Sequence, residues 1–166
     1  VTTSCGFLSS TVKSERQYFI CTSPAINASS MASCVVSENV AGAKQAVEYL
    51  VSLGHKRIGL ICGPPVEINT MERLIGYRMG LEACGIEYDR GLVVESNYEY
   101  NGGYAEMEKF LKMPEPPTAI FACSDIMALG AMDAVRNKGL IVPRDMSIVG
   151  FDDLERASTV RPSLTT

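Results

Sequence analysis

Two short apolar runs, Thr118-Ala119-Ile120-Phe121-Ala122 and Met146-Ser147-Ile148-Val149, stand on either side of a single helix-length segment, and that order constrains the fold more than anything else in the chain. The segment between them, residues 126–135, consists of helix formers apart from Gly130, and it closes at Asn137-Lys138-Gly139, with a glycine where helices favour one just past their end. Strands joined by a crossover helix lie parallel, so both carboxyl ends fall on one edge of the sheet. Each run delivers acids to that edge: Cys123-Ser124-Asp125 follows the first, and Gly150-Phe151-Asp152-Asp153 the second. Open α/β sheets bind their ligands along that edge.

The same alternation extends upstream. Cys34-Val35-Val36 reads as a short strand, and Asn39 can cap a following helix whose residues Val40, Ala43, Val47, Leu50 and Val51 share one face, ended by Gly54. Arg57-Ile58-Gly59-Leu60-Ile61-Cys62 is a continuous apolar run stopped by Gly63-Pro64-Pro65. A helix over 70–83 follows, with Leu74, Tyr77, Leu81 and Cys84 on one stripe and Gly85 past its end. Then come a strand at 92–95, a polar and aromatic loop over 96–101, and a helix over 103–112 that turns Tyr104, Met107, Phe110 and Leu111 toward the sheet before Pro114, Pro116 and Pro117 forbid its continuation. The order β-α-β-α-β-α-β-α-β from Cys34 to Val149 predicts an α/β fold with a doubly wound parallel sheet. Residues 1–33 are less regular, with one short strand at 18–21 and a loop over 22–33.

Composition narrows the function. At 166 residues and 46% hydrophobic content the chain can bury a domain-sized core, and nothing in it is apolar for long enough to span a bilayer, so no membrane partner is expected. A net charge of −4, with no clustered Lys/Arg face, argues against direct binding to nucleic acid. Six cysteines without a CxxC pair, of which Cys34, Cys62 and Cys123 fall in or beside strands, read as reduced thiols in a cytoplasmic protein. The only histidine, His55, has no neighbouring ligand pair, so no metal is expected. His55 also precedes a strand, which puts it on the opposite edge from the acids, in a structural or solvated role. The glycosylation pattern at Asn27-Ala28-Ser29 reads as chance. The chain starts without an initiator methionine or a signal sequence, as an internal starting point would.

Along the carboxyl rim the loops carry Asn39, Arg73, Asn97, Tyr98, Ser124, Asp125, Asp152 and Asp153. An aromatic face beside carboxylate, guanidinium and amide groups suits a small polyhydroxylated or heterocyclic molecule. Plainer readings stand beside this one. Asp125 can cap its helix, Arg73 can pair with Glu72 or Glu82, Tyr98 can be core or loop, and Asp152 and Asp153 can both be turn formers. No nucleophile elbow, phosphate loop or dinucleotide fingerprint follows any strand, and proline at 64 and 65 removes the N–H groups that a phosphate cradle needs, so no catalytic residue and no cofactor is assigned.

Five stretches in order resemble the LacI/GalR transcriptional regulators: Ser37-Glu38-Asn39-Val40-Ala41-Gly42-Ala43, Leu53-Gly54-His55-Lys56-Arg57-Ile58-Gly59, Glu72-Arg73-Leu74-Ile75-Gly76-Tyr77, residues 117–131, and residues 142–153 followed by Arg161-Pro162-Ser163-Leu164-Thr165-Thr166. The resemblance implies a two-lobed effector domain of the periplasmic-binding-protein-like type I fold, with 34–166 as its C-terminal lobe and 1–33 as a remnant of the N-terminal lobe and crossover. It implies a helix-turn-helix that this fragment lacks, so that DNA is a partner only through an absent domain. Carried over by position, Arg73, Tyr98, Ser124 and Asp152 become ligand contacts, although Ser124 departs from the usual asparagine, Glu38 from the usual aspartate, and Cys21 from a usual polar residue. A homodimer is implied through the 126–135 helix, with Ile126, Leu129, Met132 and Val160 at the interface. The expected function is effector sensing by a repressor. A periplasmic sugar-binding protein and a small-molecule enzyme are the rival readings, and the unpaired cysteines disfavour the first of them.

Overall fold

The computed structural model describes residues 37–166, so the expected strands at 18–21 and 34–36, the loop between them, and Cys5, Cys21 and Cys34 lie outside the described residues. Residues 39–166 form one compact unit around a parallel sheet of β1 (Ile58–Cys62), β2 (Val93–Glu95), β3 (Ala119–Ala122) and β4 (Ser147–Val149), in the order β2-β1-β3-β4. Registers such as Leu60 opposite Val93 and Phe121 opposite Val149 hold neighbouring strands level. All residues of β1, β3 and β4 are buried, whereas edge strand β2 grades from buried Val93 to exposed Glu95. Central β1 and β3 read as unbroken apolar runs because both of their faces are covered, and β4, at the other end of the order, is buried as well.

The helices are α1 (Asn39–Ser52), α2 (Ile68–Ala83), α3 (Tyr100–Phe110), α4 (Asp125–Asn137) and α5 (Glu155–Thr159). Right-handed crossovers with this strand order place α2 on one face of the sheet and α3 and α4 on the other. In keeping with this, α1 packs on α2, and α3 on α4. Of the expected stripes, Ala43, Val47 and Leu50 of α1, Tyr77 and Leu81 of α2, and Met107 and Phe110 of α3 are buried, and Val40, Val51, Leu74, Cys84, Tyr104 and Leu111 are half-buried, so the stripes point inward. Each fully buried side chain of this kind contributes about 1.5–3 kcal/mol. Several boundaries differ from expectation by one to three residues, most at the start of α3. Helix α3 begins at Tyr100 rather than Gly103, because the Asn97 carboxamide accepts from the Glu99 N–H at 3.2 Å and turns the chain early. Helix α2 begins at Ile68, two residues before Thr70.

The amino edge of the sheet is fastened by His55, whose ring nitrogens meet Thr118 Oγ1 at 3.0 Å and Ser147 Oγ at 2.9 Å. Its role is structural, joining the starts of β3 and β4 to the turn after α1. Beyond β4 the tail turns back along the sheet, with Val149 bridged to Thr165 and the Gly150 N–H donating to the Thr165 carbonyl at 2.8 Å.

Candidate ligand site at the carboxyl edge

Strands β1 and β3 are neighbours, but their connections leave in opposite directions, β1 through α2 to β2 and β3 through α4 to β4. The crevice between their carboxyl ends is therefore the switch point of the sheet, where open α/β folds bind ligands. Arg73 spans it. It lies one turn after Thr70 on the buried face of α2 and is only 5% exposed. From there its Nε donates to Asn39 Oδ1 at 2.8 Å, Nη1 donates to the Cys123 carbonyl at the end of β3, and Nη2 meets Asp152 Oδ1 at 3.1 Å. The guanidinium also lies 3.9 Å from the centre of the Phe151 ring. A charge this deep persists only when it is paired and hydrogen-bonded, and these contacts do both while leaving one N–H on each terminal nitrogen without a partner among the described residues.

Asn39 was expected to cap α1. Its carboxamide is instead committed to α2, accepting from Arg73 and donating to Asn69 Oδ1 at 3.2 Å and Glu72 Oε2 at 2.7 Å. Glu72 thus bonds Asn39, and Arg73 pairs with Asp152 rather than with Glu72 or Glu82.

Asp152 and Asp153 have φ angles of 109° and 52°, in the left-handed region that side chains disfavour. Strain of this kind costs about 1–3 kcal/mol per residue and is held only where surrounding contacts over-determine it. It brings the Asp152 carboxylate over Arg73. Burial pushes the Asp152 carboxyl above the usual carboxylate range, outweighing the opposite pull of the Arg73 charge.

Tyr98 is a third such residue, with φ 61°. Its ring lies on the Gly63 backbone so closely that a Cβ at Gly63 would come within 1.9 Å, and its hydroxyl bonds Thr70 Oγ1 at 2.8 Å. Burial raises the Tyr98 phenol, which keeps it a neutral hydroxyl. Thr70 and Phe151 were not singled out in the sequence. The signal for Thr70 was its position one helical turn from Arg73 on the same face.

At the start of α4 the expected roles are exchanged. Asp125 was read as the helix cap, but Ser124 is the cap, its hydroxyl accepting from the Met127 N–H at 3.3 Å. Asp125, fully buried, accepts instead from the Leu154 N–H at 2.7 Å. Ser124 is 4% exposed, and its hydroxyl proton is not committed by the cap. Asn97 does not join the group, since its amide serves the local turn with Glu99.

On another surface, Leu129, Met132 and Val160 line a concavity of about 310 Å³ with Tyr100, Asp133, Arg136, Arg156 and Arg161. Leu129 and Met132 are 6% and 3% exposed, covered by the chain itself, whereas Ile126 and Val160 are half-buried. Among the described residues no helix is long and apolar enough to cross a membrane, and no group of three or more His, Cys, Asp or Glu side chains could hold a metal ion.

Residues 47–166 match the family model of the periplasmic binding protein-like domain. The HTH-type transcriptional repressor CytR of Escherichia coli (strain K12) is 42% identical over 129 residues, which cover 78% of this chain but 38% of that repressor. Among solved structures, the transcriptional regulator CelR in complex with cellobiose aligns with a TM-score of 0.74 at 39% identity, covering 76% of this chain and 39% of that one. A regulatory protein of the LacI family from Chloroflexus aggregans aligns with a TM-score of 0.74 at 33% identity, covering 76% and 46%. The chain therefore spans less than half the length of each of these relatives. Fold, strand order and sequence agree: the chain belongs to the periplasmic-binding-protein-like family, in its LacI-type branch of transcriptional regulators.

Proposed function

We propose that this chain is the ligand-sensing part of a LacI-type transcriptional repressor, and that it takes a small polyhydroxylated effector, a sugar or nucleoside-like molecule, on Arg73, Tyr98, Ser124 and Asp152. The observation that carries the reading is the ion pair of buried Arg73 with the more exposed Asp152 carboxylate, set at the switch point of the sheet at 3.1 Å with guanidinium donors that have no partner among the described residues. Asp152 Oδ2, which has no partner among the described residues, accepts a hydroxyl, and the Tyr98 ring covers the apolar face of a sugar or base. One structural relative is a regulator in complex with cellobiose, a ligand of this chemical class.

The effector acts by binding one arrangement of a two-lobed protein better than another and so shifting the population that grips DNA. DNA binding itself belongs to a helix-turn-helix outside this sequence. The reading is non-enzymatic and cytoplasmic, in line with relatives named as transcriptional regulators. A homodimer forms over α4 and residues 154–162, with Ile126 and Val160 as its more accessible apolar contacts and Leu129 and Met132 beneath them.

Titration calorimetry of the full-length gene product with adenosine, cytidine, hypoxanthine and cellobiose tests the site. At least one of these probes is expected to bind saturably. Asp152→Asn, which keeps the side-chain shape, is expected to weaken it by about 10- to 100-fold through loss of a charge-assisted hydrogen bond. Equal affinity in Asp152→Asn and Arg73→Ala would reject the assignment.

A further inference from the structure

Asp125 is the one fully buried acid of the described residues, and effector binding as proposed makes no use of it. Its main-chain N–H donates to the Phe151 carbonyl at 2.8 Å, and its Oδ2 accepts from the Leu154 N–H at 2.7 Å. The residues between those two anchors are Asp152 and Asp153, both held at positive φ. The remaining oxygen, Oδ1, has no hydrogen-bond partner among the described residues and lies against Gly150, where a Cβ would come within 2.2 Å of it. One residue at the start of α4 therefore grips both ends of a strained four-residue turn, the near end by its main chain and the far end by its side chain, and leaves a carboxylate oxygen unsatisfied.

We infer that Asp125 is a positioning residue for the effector site: it clamps residues 151–154 from both sides and so holds the Asp152 carboxylate against Arg73. The inference rests on the reading of Asp152 as a ligand contact. A backbone at positive φ relaxes unless its neighbours forbid it, and the main-chain bond at Phe151 fixes only the near end of the turn. The carboxylate bond at Leu154 fixes the far end. Asparagine at 125 keeps an acceptor at the same reach, whereas serine is too short to span the distance.

The test uses the full-length gene product with Asp125→Asn and Asp125→Ser, in two arms. The first arm needs no effector: amide hydrogen exchange at Leu154 and the carboxyl carbon titration of Asp152, both by NMR. Serine is expected to lower protection at Leu154 by at least about tenfold and to move the Asp152 titration, while asparagine preserves both. The second arm is the affinity for whichever of adenosine, cytidine, hypoxanthine or cellobiose binds, expected to weaken about tenfold in the serine variant and to stay within about threefold in the asparagine variant. A folded serine variant with unchanged Leu154 protection and Asp152 titration overturns the clamp. If serine does not fold, loss of Leu154 protection in the asparagine variant overturns it instead. A normal first arm for the clamp together with indifference of affinity to Asp152→Asn defeats the effector site and leaves the clamp standing.

Discussion

Arg73 is accommodated at 5% exposure because its neighbours suit a guanidinium: a carboxamide, a main-chain carbonyl, a carboxylate and an aromatic face. Planar donors in a fixed fork match such a set, and lysine would not. His55 shows the opposite strategy, a titratable group used as a neutral staple. Burial lowers its pKa, so the neutral ring is favoured in the folded state. Its contribution is full above the unfolded value of about 6.5 and falls as pH drops through that value toward the lower folded one. His55→Gln is therefore expected to give a stability–pH curve that is flatter on the acid side of about pH 6.5, measured by denaturant unfolding at each pH. A wild-type curve without that acid-side decline would contradict it. The exchange of roles at Ser124 and Asp125 also belongs to this scale. Serine and aspartate are comparable caps, so two of them in a row leave the sequence undecided. What settles it is the turn at 151–154, contributed from elsewhere in the chain, which needs the longer acceptor.

At the scale of elements, the helix pairs approach through glycine. A Cβ at Gly130 of α4 would lie 2.0 Å from the Tyr100 carbonyl oxygen of α3, and one at Gly103 of α3 would lie 2.1 Å from the Met127 carbonyl oxygen of α4. On the other face, Gly76 of α2 meets α1 in the same way at the Val40 carbonyl oxygen, 2.3 Å away. Gly130 thus reads in the sequence as a weak point in a helix, and in the structure as the place where the neighbouring backbone crosses. Gly130→Ala is expected to destabilise the protein by about 1–3 kcal/mol, because main-chain atoms cannot yield as a side chain would. The sign is the test, since helix propensity alone favours alanine by about 1 kcal/mol. Chemical denaturation that shows a gain in stability would contradict the close crossing. The helices themselves were legible because their apolar positions repeat at helical spacing. The start of α3 was not, because the Asn97 turn that sets it is read only once the side chain's partner is known.

For the molecule as a whole, the proposed dimer makes the concavity beside α4 a shared surface. Val160→Asp is expected to shift the full-length gene product from dimer to monomer in sedimentation velocity while leaving its thermal midpoint within a few degrees, since the residue is only half-buried in its own chain. A dimer unaffected by both Val160→Asp and Ile126→Asp would remove this surface from the interface. The sequence by itself determined the alternation of strands and helices, the parallel sheet and the rim on which the polar residues gather, because those follow from periodicity, strand length and the handedness of crossovers, all of which are local. Only the tertiary structure decided which rim residues meet. Asn39, Arg73, Cys123 and Asp152 come from segments far apart in the chain, and pairing among them depends on strand order and on a turn held at positive φ. Thr118 to Asp153 announces acids after both of its strands at one edge, Asp125 after the first and Asp152 and Asp153 after the second. The turn at 151–154 directs Asp152 to the arginine, and Asp125 is spent holding that turn in place.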